Sequence, residues 1–132
     1  MEMNKFSDII NNKPNLYFGK GVKEVEIESA ERDLNLCFNK EYKMYLLHYG
    51  LISYGNHELT GLCNSQRLNV VYVTKEEKNY NPHVPSDMYV IEQTNIDGIV
   101  IWQNSNGYIF QTFPNSNPQK IANSLLEYIL ST

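Results

Sequence analysis

Few residues in this chain have the types and spacing that catalysis requires. The best pair is His57 followed by Glu58, an imidazole and a carboxylate that could exchange a proton. The surrounding pattern predicts a β-strand here, and neighbours in a strand point to opposite faces. The chain has no glycine-rich phosphate loop and no GxSxG or HExxH motif. The sequence therefore gives no candidate catalytic residue, and we expect a protein that is not an enzyme.

The cysteines and the other histidines form no metal-ligand pattern. Cys37 and Cys63 are far apart, there is no CxxC, and neither His48 nor His83 lies near a plausible set of ligands. We therefore expect two reduced thiols, no metal and no cofactor. Cys37 lies between two apolar residues and is expected to be a small buried side chain. His48 is expected on the surface of a helix.

Composition and charge narrow the class of protein. The 132 residues fit one domain, 1–132, and 11 basic against 15 acidic residues give a net charge of −4. This balance argues against direct nucleic-acid binding, which needs a basic surface. No apolar run approaches the ~18 residues of a membrane span. Residues 1–12 lack the plan of a signal peptide, so we expect a cytoplasmic protein with no membrane contact.

Apolar periodicity predicts helices in the first half of the chain and at its end. Apolar residues recur at i, i+3, i+4 and i+7, which makes one buried stripe on each helix. Asn39 is a suitable N-cap for the third helix, and Gly50 is suited to end it. Asn35 is expected to end the second helix. The predicted helices cover Met3–Asn11, 24–36, Lys40–Tyr49, 69–79 and 119–130.

Short β-branched and aromatic runs predict the strands. Two runs flank Gly55-Asn56, and three more are separated by Asp97-Gly98 and Asn106-Gly107, which are hairpin turn sequences. The predicted strands cover 51–54, 57–59, 88–93, 98–103 and 107–113. This order predicts an α+β fold, with a central antiparallel sheet and helices packed on one side.

The segment 79–119 combines aromatic and acidic residues without any lysine or arginine. Such a surface suits a basic protein partner, because aromatic side chains supply contact area and carboxylates attract opposite charge. Strand alternation nevertheless buries about half of these aromatics. Val100 and Trp102 share one face of a strand that is apolar on both faces, which predicts a central, covered strand. The candidate partner-contact residues are Glu58, Glu92, Asp97, Trp102 and Tyr108.

The order of these features resembles the SUKH superfamily, which includes Smi/Knr-type cell-wall regulators. Its signature is a helix with isoleucine and glutamate, a short loop, and a tyrosine-containing helix that ends in glycine. Residues 26–36 and 38–50 fit that signature, although Asn39 stands where the family usually has proline. Further similar segments are residues 58–62, 70–74, 107–110 and 121–130.

This resemblance implies an α+β fold with a central antiparallel sheet and no shared catalytic residues. Many bacterial members are immunity proteins (antitoxins) that neutralise a polymorphic toxin, often a nuclease, by stoichiometric binding. We expect this function, with an acidic surface that covers a basic nuclease channel. One alternative is a non-catalytic regulatory or scaffold module of the Smi/Knr type. Another is a small-molecule binder or an enzyme that uses a sheet cleft near His57.

Overall fold

The computed structural model describes residues 3–132, which form five α-helices and seven short strands. The helices are α1 (Met3–Asn11), α2 (Glu24–Leu34), α3 (Lys40–Tyr49), α4 (Val70–Tyr80) and α5 (Leu125–Ser131). The strands are β1 (Tyr17–Phe18), β2 (Ile52–Tyr54), β3 (His57–Glu58), β4 (Tyr89–Gln93), β5 (Val100–Gln103), β6 (Ile109–Thr112) and β7 (Gln119–Ala122). No helix within residues 3–132 is long and apolar enough to cross a bilayer.

Asparagine side chains set several helix ends. The Asn39 side chain accepts the backbone N–H of Glu41 at 3.0 Å, which confirms the predicted N-cap of α3. Asn69 caps α4 in the same way, through the N–H of Val71 at 3.0 Å. Asn35 is the C-cap of α2 in the left-handed conformation with φ of 53°, which confirms its predicted role, and the helix therefore ends at Leu34, two residues before the predicted end at 36. Asparagine tolerates this conformation better than most residues.

The strands form two antiparallel sheets that continue into each other. One sheet has the order β1-β2-β3 and the other β4-β5-β6-β7. They are joined where Leu59 forms an antiparallel bridge with Glu92. Beside this bridge, the backbone N–H of Thr60 donates to the carbonyl of Ile91 at 2.8 Å. The Thr60 hydroxyl donates to the carbonyl of Val90 at 2.7 Å. The α+β class and the antiparallel arrangement are therefore confirmed.

The core lies on both faces of β4 and β5. On one face, Ile101 packs in a large cluster with side chains of α1, α2, α3 and α5. On the other, Val100 and Trp102 pack with Val73 of α4. The prediction of a central, covered β5 is thus confirmed.

The predicted helix over 119–130 is wrong in its first half. Residues Gln119–Ala122 form β7, which pairs with β6, and the helix begins only at Leu125. The apolar residues of this stretch fit a helical stripe, but the free edge of β6 offers hydrogen-bond partners along its whole length. The Ser124-x-x-Glu127 capping box marks the true helix start, and Ser124 Oγ accepts the Glu127 N–H at 3.0 Å.

Candidate partner-binding surface

His57 and Glu58 point away from each other, as predicted for strand neighbours. His57 Nδ1 lies 3.0 Å from Glu92 Oε2, whereas Glu58 is held by Arg67 through two contacts of 2.7 and 3.0 Å. The paired guanidinium holds the pKa of the Glu58 carboxyl below its usual range. The two side chains therefore cannot act as an acid–base pair on one substrate.

Glu92 is buried, contrary to its predicted role as a surface contact. Its carboxylate accepts hydrogen bonds from the hydroxyl of Tyr128 on α5 and lies beside the His57 ring. Burial and the nearby carboxylate raise the pKa of Tyr128, so the phenol remains a donor. This contact joins β3, β4 and α5, and Glu92 presents no surface to a partner in this conformation.

Trp102 is likewise buried, because β5 is covered on both faces. Its indole Nε1–H donates to Thr112 Oγ1 at 2.9 Å, which satisfies the one polar atom of the side chain. Trp102 therefore stabilises the core and contributes only to the floor of the surface described next.

Tyr108 is 40% exposed, but its surroundings are basic. Lys120 Nζ lies 3.9 Å from the centre of the Tyr108 ring, a cation–π contact. Lys120 belongs to β7, the strand that the sequence pattern missed. The pairing of β7 with β6 therefore places a lysine beside the segment 79–119, which itself contains none. Tyr108 also lies in the β5–β6 turn, at the opposite end of β5 from Asp97.

Asp97 is exposed in the β4–β5 turn, next to a groove of about 350 Å³. We call this the acidic–aromatic groove. Its side chains come from the end of α4, from the two turns at the same end of the sheet, and from the adjoining strands β4, β5 and β6. The lining residues used in the functional proposal below are Glu77, Tyr80, Gln93, Asn95, Phe113 and Pro114.

The local sequence positions this groove. Glu77 and Tyr80 are three residues apart at the end of α4 and so lie on one helix face. The β4–β5 and β6–β7 turns lie at the same end of the antiparallel meander. Gly98, with φ of +70°, brings these turns into contact, since a Cβ there would lie 2.7 Å from Pro114 Cγ.

Side-chain hydrogen bonds hold the rim of the groove. Thr94 Oγ1 donates to the carbonyl of Ile99 at 2.8 Å across the β4–β5 turn. In the β6–β7 turn, Ser116 Oγ accepts the N–H of Phe113 at 2.8 Å. Asn81, just after α4, donates to the carbonyl of Ser116 at 2.9 Å. Hydrogen bonds within the chain therefore hold the shape of the groove.

No lysine or arginine is among the residues that line the acidic–aromatic groove within the described chain. Four further cavities each include a basic residue: Lys20, Lys5, Arg32 and Arg67. Lys78 follows Glu77 on α4, but it donates to the carbonyl of Ser86 at 2.9 Å, and burial lowers its pKa. The groove thus differs from the other four cavities in having a carboxylate and no basic side chain in its lining.

The remaining candidates for chemistry lie apart from each other. Both cysteines are free; Cys63 is half-buried, whereas Cys37 is exposed, so the prediction of a buried Cys37 was wrong. His48 is exposed on α3, as predicted. Within residues 3–132, no three His, Cys, Asp or Glu side chains are placed to hold a metal ion. His57 lines none of the five cavities named above, so the geometry gives no support to a cleft centred on it.

The groove was only partly visible in the sequence. Tyr80 and Phe113 lie in the lysine-free segment, but a burial argument alone does not tell an exposed aromatic from a core one. Glu77 lies outside that segment and enters the groove only because α4 ends there. The sequence feature that could have indicated Glu77 is its spacing of three residues from Tyr80, which places both side chains on one helix face.

Comparison with known families agrees with this architecture. The SUKH_5 family model, described as SMI1-KNR4 cell-wall, matches residues 3–132. The chain belongs to the SUKH superfamily. The match confirms the resemblance seen in the helix signature and covers all of the SUKH fold described above. No curated protein matches the chain.

Proposed function

We propose that this SUKH chain is a cytoplasmic immunity protein that neutralises a toxin domain, most simply a nuclease, by one-to-one binding without catalysis. Family membership supports this proposal, because the resemblance implies binding modules rather than enzymes. The acidic–aromatic groove supports it from the structure. A single chain carries the whole groove.

The acidic–aromatic groove is the observation that carries the proposal. A nuclease must present a basic channel to bind phosphates. The negative charge of an acidic surface attracts the basic channel of the partner, which makes the two proteins associate quickly at low salt. Tyrosine and tryptophan are over-represented among the few residues that contribute most of the binding energy of a protein interface. Tyr80 and Phe113, 69% and 42% exposed, line the groove together with Glu77, and the exposed Asp97 lies in the adjoining β4–β5 turn.

Co-expression tests this function. The open reading frame beside the gene for this chain is expressed alone and together with it. We expect growth arrest in the first case, restored growth in the second, and a one-to-one complex by size-exclusion chromatography with light scattering. Cells that die despite expression of folded protein would exclude the immunity role.

Two variants connect protection to the groove. Tyr80→Ala removes an exposed ring, and Asp97→Asn removes a charge while keeping a residue that tolerates φ of 54°. Both should weaken the complex by tenfold or more. The matched controls are Tyr17→Ala and Asp33→Asn, which change residues that are also exposed but lie outside the groove. Equal losses in the controls would place the contact elsewhere.

A regulatory or scaffold module is the second candidate, favoured by the words "cell-wall" in the description of the matching family. Under this alternative, the neighbouring gene product is harmless and does not bind. Pull-down with the purified chain would then recover a partner that is not toxic when expressed alone. The two functions therefore give opposite results in the same pair of experiments.

A further inference from the structure

We propose that the acidic–aromatic groove takes a basic segment of the partner, with an arginine side chain placed over Tyr80 and Phe113 and paired with Glu77. This inference rests on the proposed function only in that the protein acts by binding another polypeptide. It specifies the chemistry of the bound segment and the residue that anchors it.

Glu77 is the strongest reason for a cationic group. Its side chain is half-buried at the groove, and Oε2 accepts the Gln93 Nε2–H at 2.6 Å. Within residues 3–132, no hydrogen bond reaches its Oε1 and no basic side chain lies within 4.0 Å of the carboxylate. By contrast, the exposed Glu58 and the half-buried Glu31 each have a basic partner. A half-buried carboxylate that keeps one oxygen free is suited to a charged donor.

The aromatic side chains favour arginine. Tyr80 and Phe113 line the same groove as Glu77 and are both substantially exposed. A guanidinium stacks on aromatic faces and still donates to a carboxylate in its own plane. Lysine offers only a point charge, so we expect arginine to bind more tightly.

The rim is already ordered by the Asn81–Ser116 and Thr94–Ile99 hydrogen bonds. A preformed site loses less conformational entropy when the partner binds than a site that must first become ordered. Three residues at this rim, Asn95, Asp97 and Asn115, have positive φ, between 54° and 59°. Such backbone is retained where the surrounding structure holds it firmly.

A substitution at Arg67 should strengthen binding of the basic segment. Gln93 and Asn95 line both the acidic–aromatic groove and the small cavity that contains the Glu58–Arg67 pair. A basic segment in the groove therefore meets the positive charge of Arg67 nearby. Arg67→Gln removes this repulsion and frees Glu58, so it should tighten binding about two- to fivefold at low salt.

The test uses a defined probe rather than the unknown partner. A capped ten-residue peptide with two adjacent arginines is titrated into ¹⁵N-labelled protein, beside the same peptide with citrulline, which is uncharged and nearly isosteric. The indole N–H of Trp102, the one tryptophan of the chain, and the amide of Gly98 report on the groove. We expect saturable shifts at both sites with arginine, at least tenfold weaker binding with citrulline, and weaker binding as salt rises.

Single substitutions test whether Glu77 and Tyr80 hold the arginine of the peptide. Glu77→Gln should weaken the arginine peptide at least fivefold, whereas Tyr80→Phe should preserve binding and Tyr80→Ala should reduce it. The matched control is Glu28→Gln, which removes an exposed carboxylate on α2. Shifts that map elsewhere, equal binding of citrulline, or equal effects of Glu77→Gln and Glu28→Gln would each overturn the inference.

The outcome is distinguishable from that of the co-expression test. If the peptide binds as described but the chain does not protect cells, the groove chemistry holds and the immunity role fails. If the chain protects cells but the peptide shifts neither Trp102 nor Gly98, the immunity role holds and this docking mode is wrong.

Discussion

The carboxylate of Glu41 on α3 accepts the backbone N–H of Leu125, the first residue of α5, at 2.7 Å. Its other oxygen accepts the N–H of Leu126 at 2.9 Å, and Gln103 Nε2 donates to the first oxygen at 3.2 Å. Glu41 is buried. A carboxylate from the third helix thus caps the last helix of the chain and satisfies N–H groups that would otherwise lack acceptors.

Glu41→Ala should lower the free energy of unfolding by about 2–4 kcal/mol, because it leaves buried donors unsatisfied. Glu41→Gln should cost less, since an amide oxygen still accepts one N–H. Urea denaturation measures both. Glu28→Ala, an exposed change on α2, should fall within about 0.5 kcal/mol of the parent protein. A Glu41→Ala cost as small as this control would show that the cap contributes little.

Stability should fall steeply above pH 10. Burial raises the pKa of the Tyr54 phenol to about 12, and it also raises the pKa values of Tyr42, Tyr45, Tyr89 and Tyr128. In the unfolded chain these phenols ionise near 10, so the folded state binds more protons above that pH. The stabilisation is therefore complete below pH 10 and is lost as pH rises, by up to about 1.4 kcal/mol per pH unit for each such tyrosine.

Urea denaturation between pH 8.5 and 11.5 measures this slope. Tyr54→Phe should reduce the slope above pH 10 while costing some stability at neutral pH, because the contact with Thr132 is lost. Tyr17→Phe, which removes the hydroxyl of an exposed tyrosine, is the control. A parent protein whose stability does not change between pH 9 and 11 would contradict the prediction.

Gly98→Ala should be more destabilising than Gly55→Ala. Both glycines have positive φ, but a Cβ at Gly98 would lie 2.7 Å from Pro114 Cγ, whereas at Gly55 the nearest atom is 4.0 Å away. We expect about 1 kcal/mol for Gly55→Ala from the backbone alone and about 2–3 kcal/mol for Gly98→Ala. Thermal denaturation compares the two, and equal costs would mean that the two turns separate easily.

Thr112→Val should cost about 1–3 kcal/mol, because the buried indole N–H of Trp102 loses its acceptor. Thr112→Ser keeps the hydroxyl and removes only a methyl group, so it should cost about 1 kcal/mol. Equilibrium unfolding followed by Trp102 fluorescence gives both values. If the valine variant proved as stable as the serine variant, the hydrogen bond would have no net effect.

Much of the fold could be predicted from local patterns. The caps Asn39 and Asn35 act within four residues along the chain, so the sequence predicts them directly. The hairpin turns around Gly55 and Gly107 are equally local. Strand β7 was missed because its pairing with β6 is a tertiary contact, and the same apolar residues also fit a helix.

The candidate site was harder to predict for a similar reason. The sequence marks segment 79–119 as acidic and aromatic, but it does not tell which side chains face inwards. Glu92 and Trp102 are buried because both faces of the sheet are covered, whereas Asp97 is exposed in a turn. Lys120 reaches Tyr108 only through the pairing of β7 with β6.

Thr60 lies where the two sheets meet, and its contacts reach further than the neighbouring strands. Besides its two hydrogen bonds to β4, its carbonyl accepts the hydroxyl of Tyr45 at 2.6 Å, and its Oγ1 lies 2.9 Å from the hydroxyl of Tyr42. One residue thereby ties α3 to β4. The amide hydrogen of Thr60 should therefore exchange with solvent deuterium only at the rate of whole-molecule opening, as slowly as any in the chain.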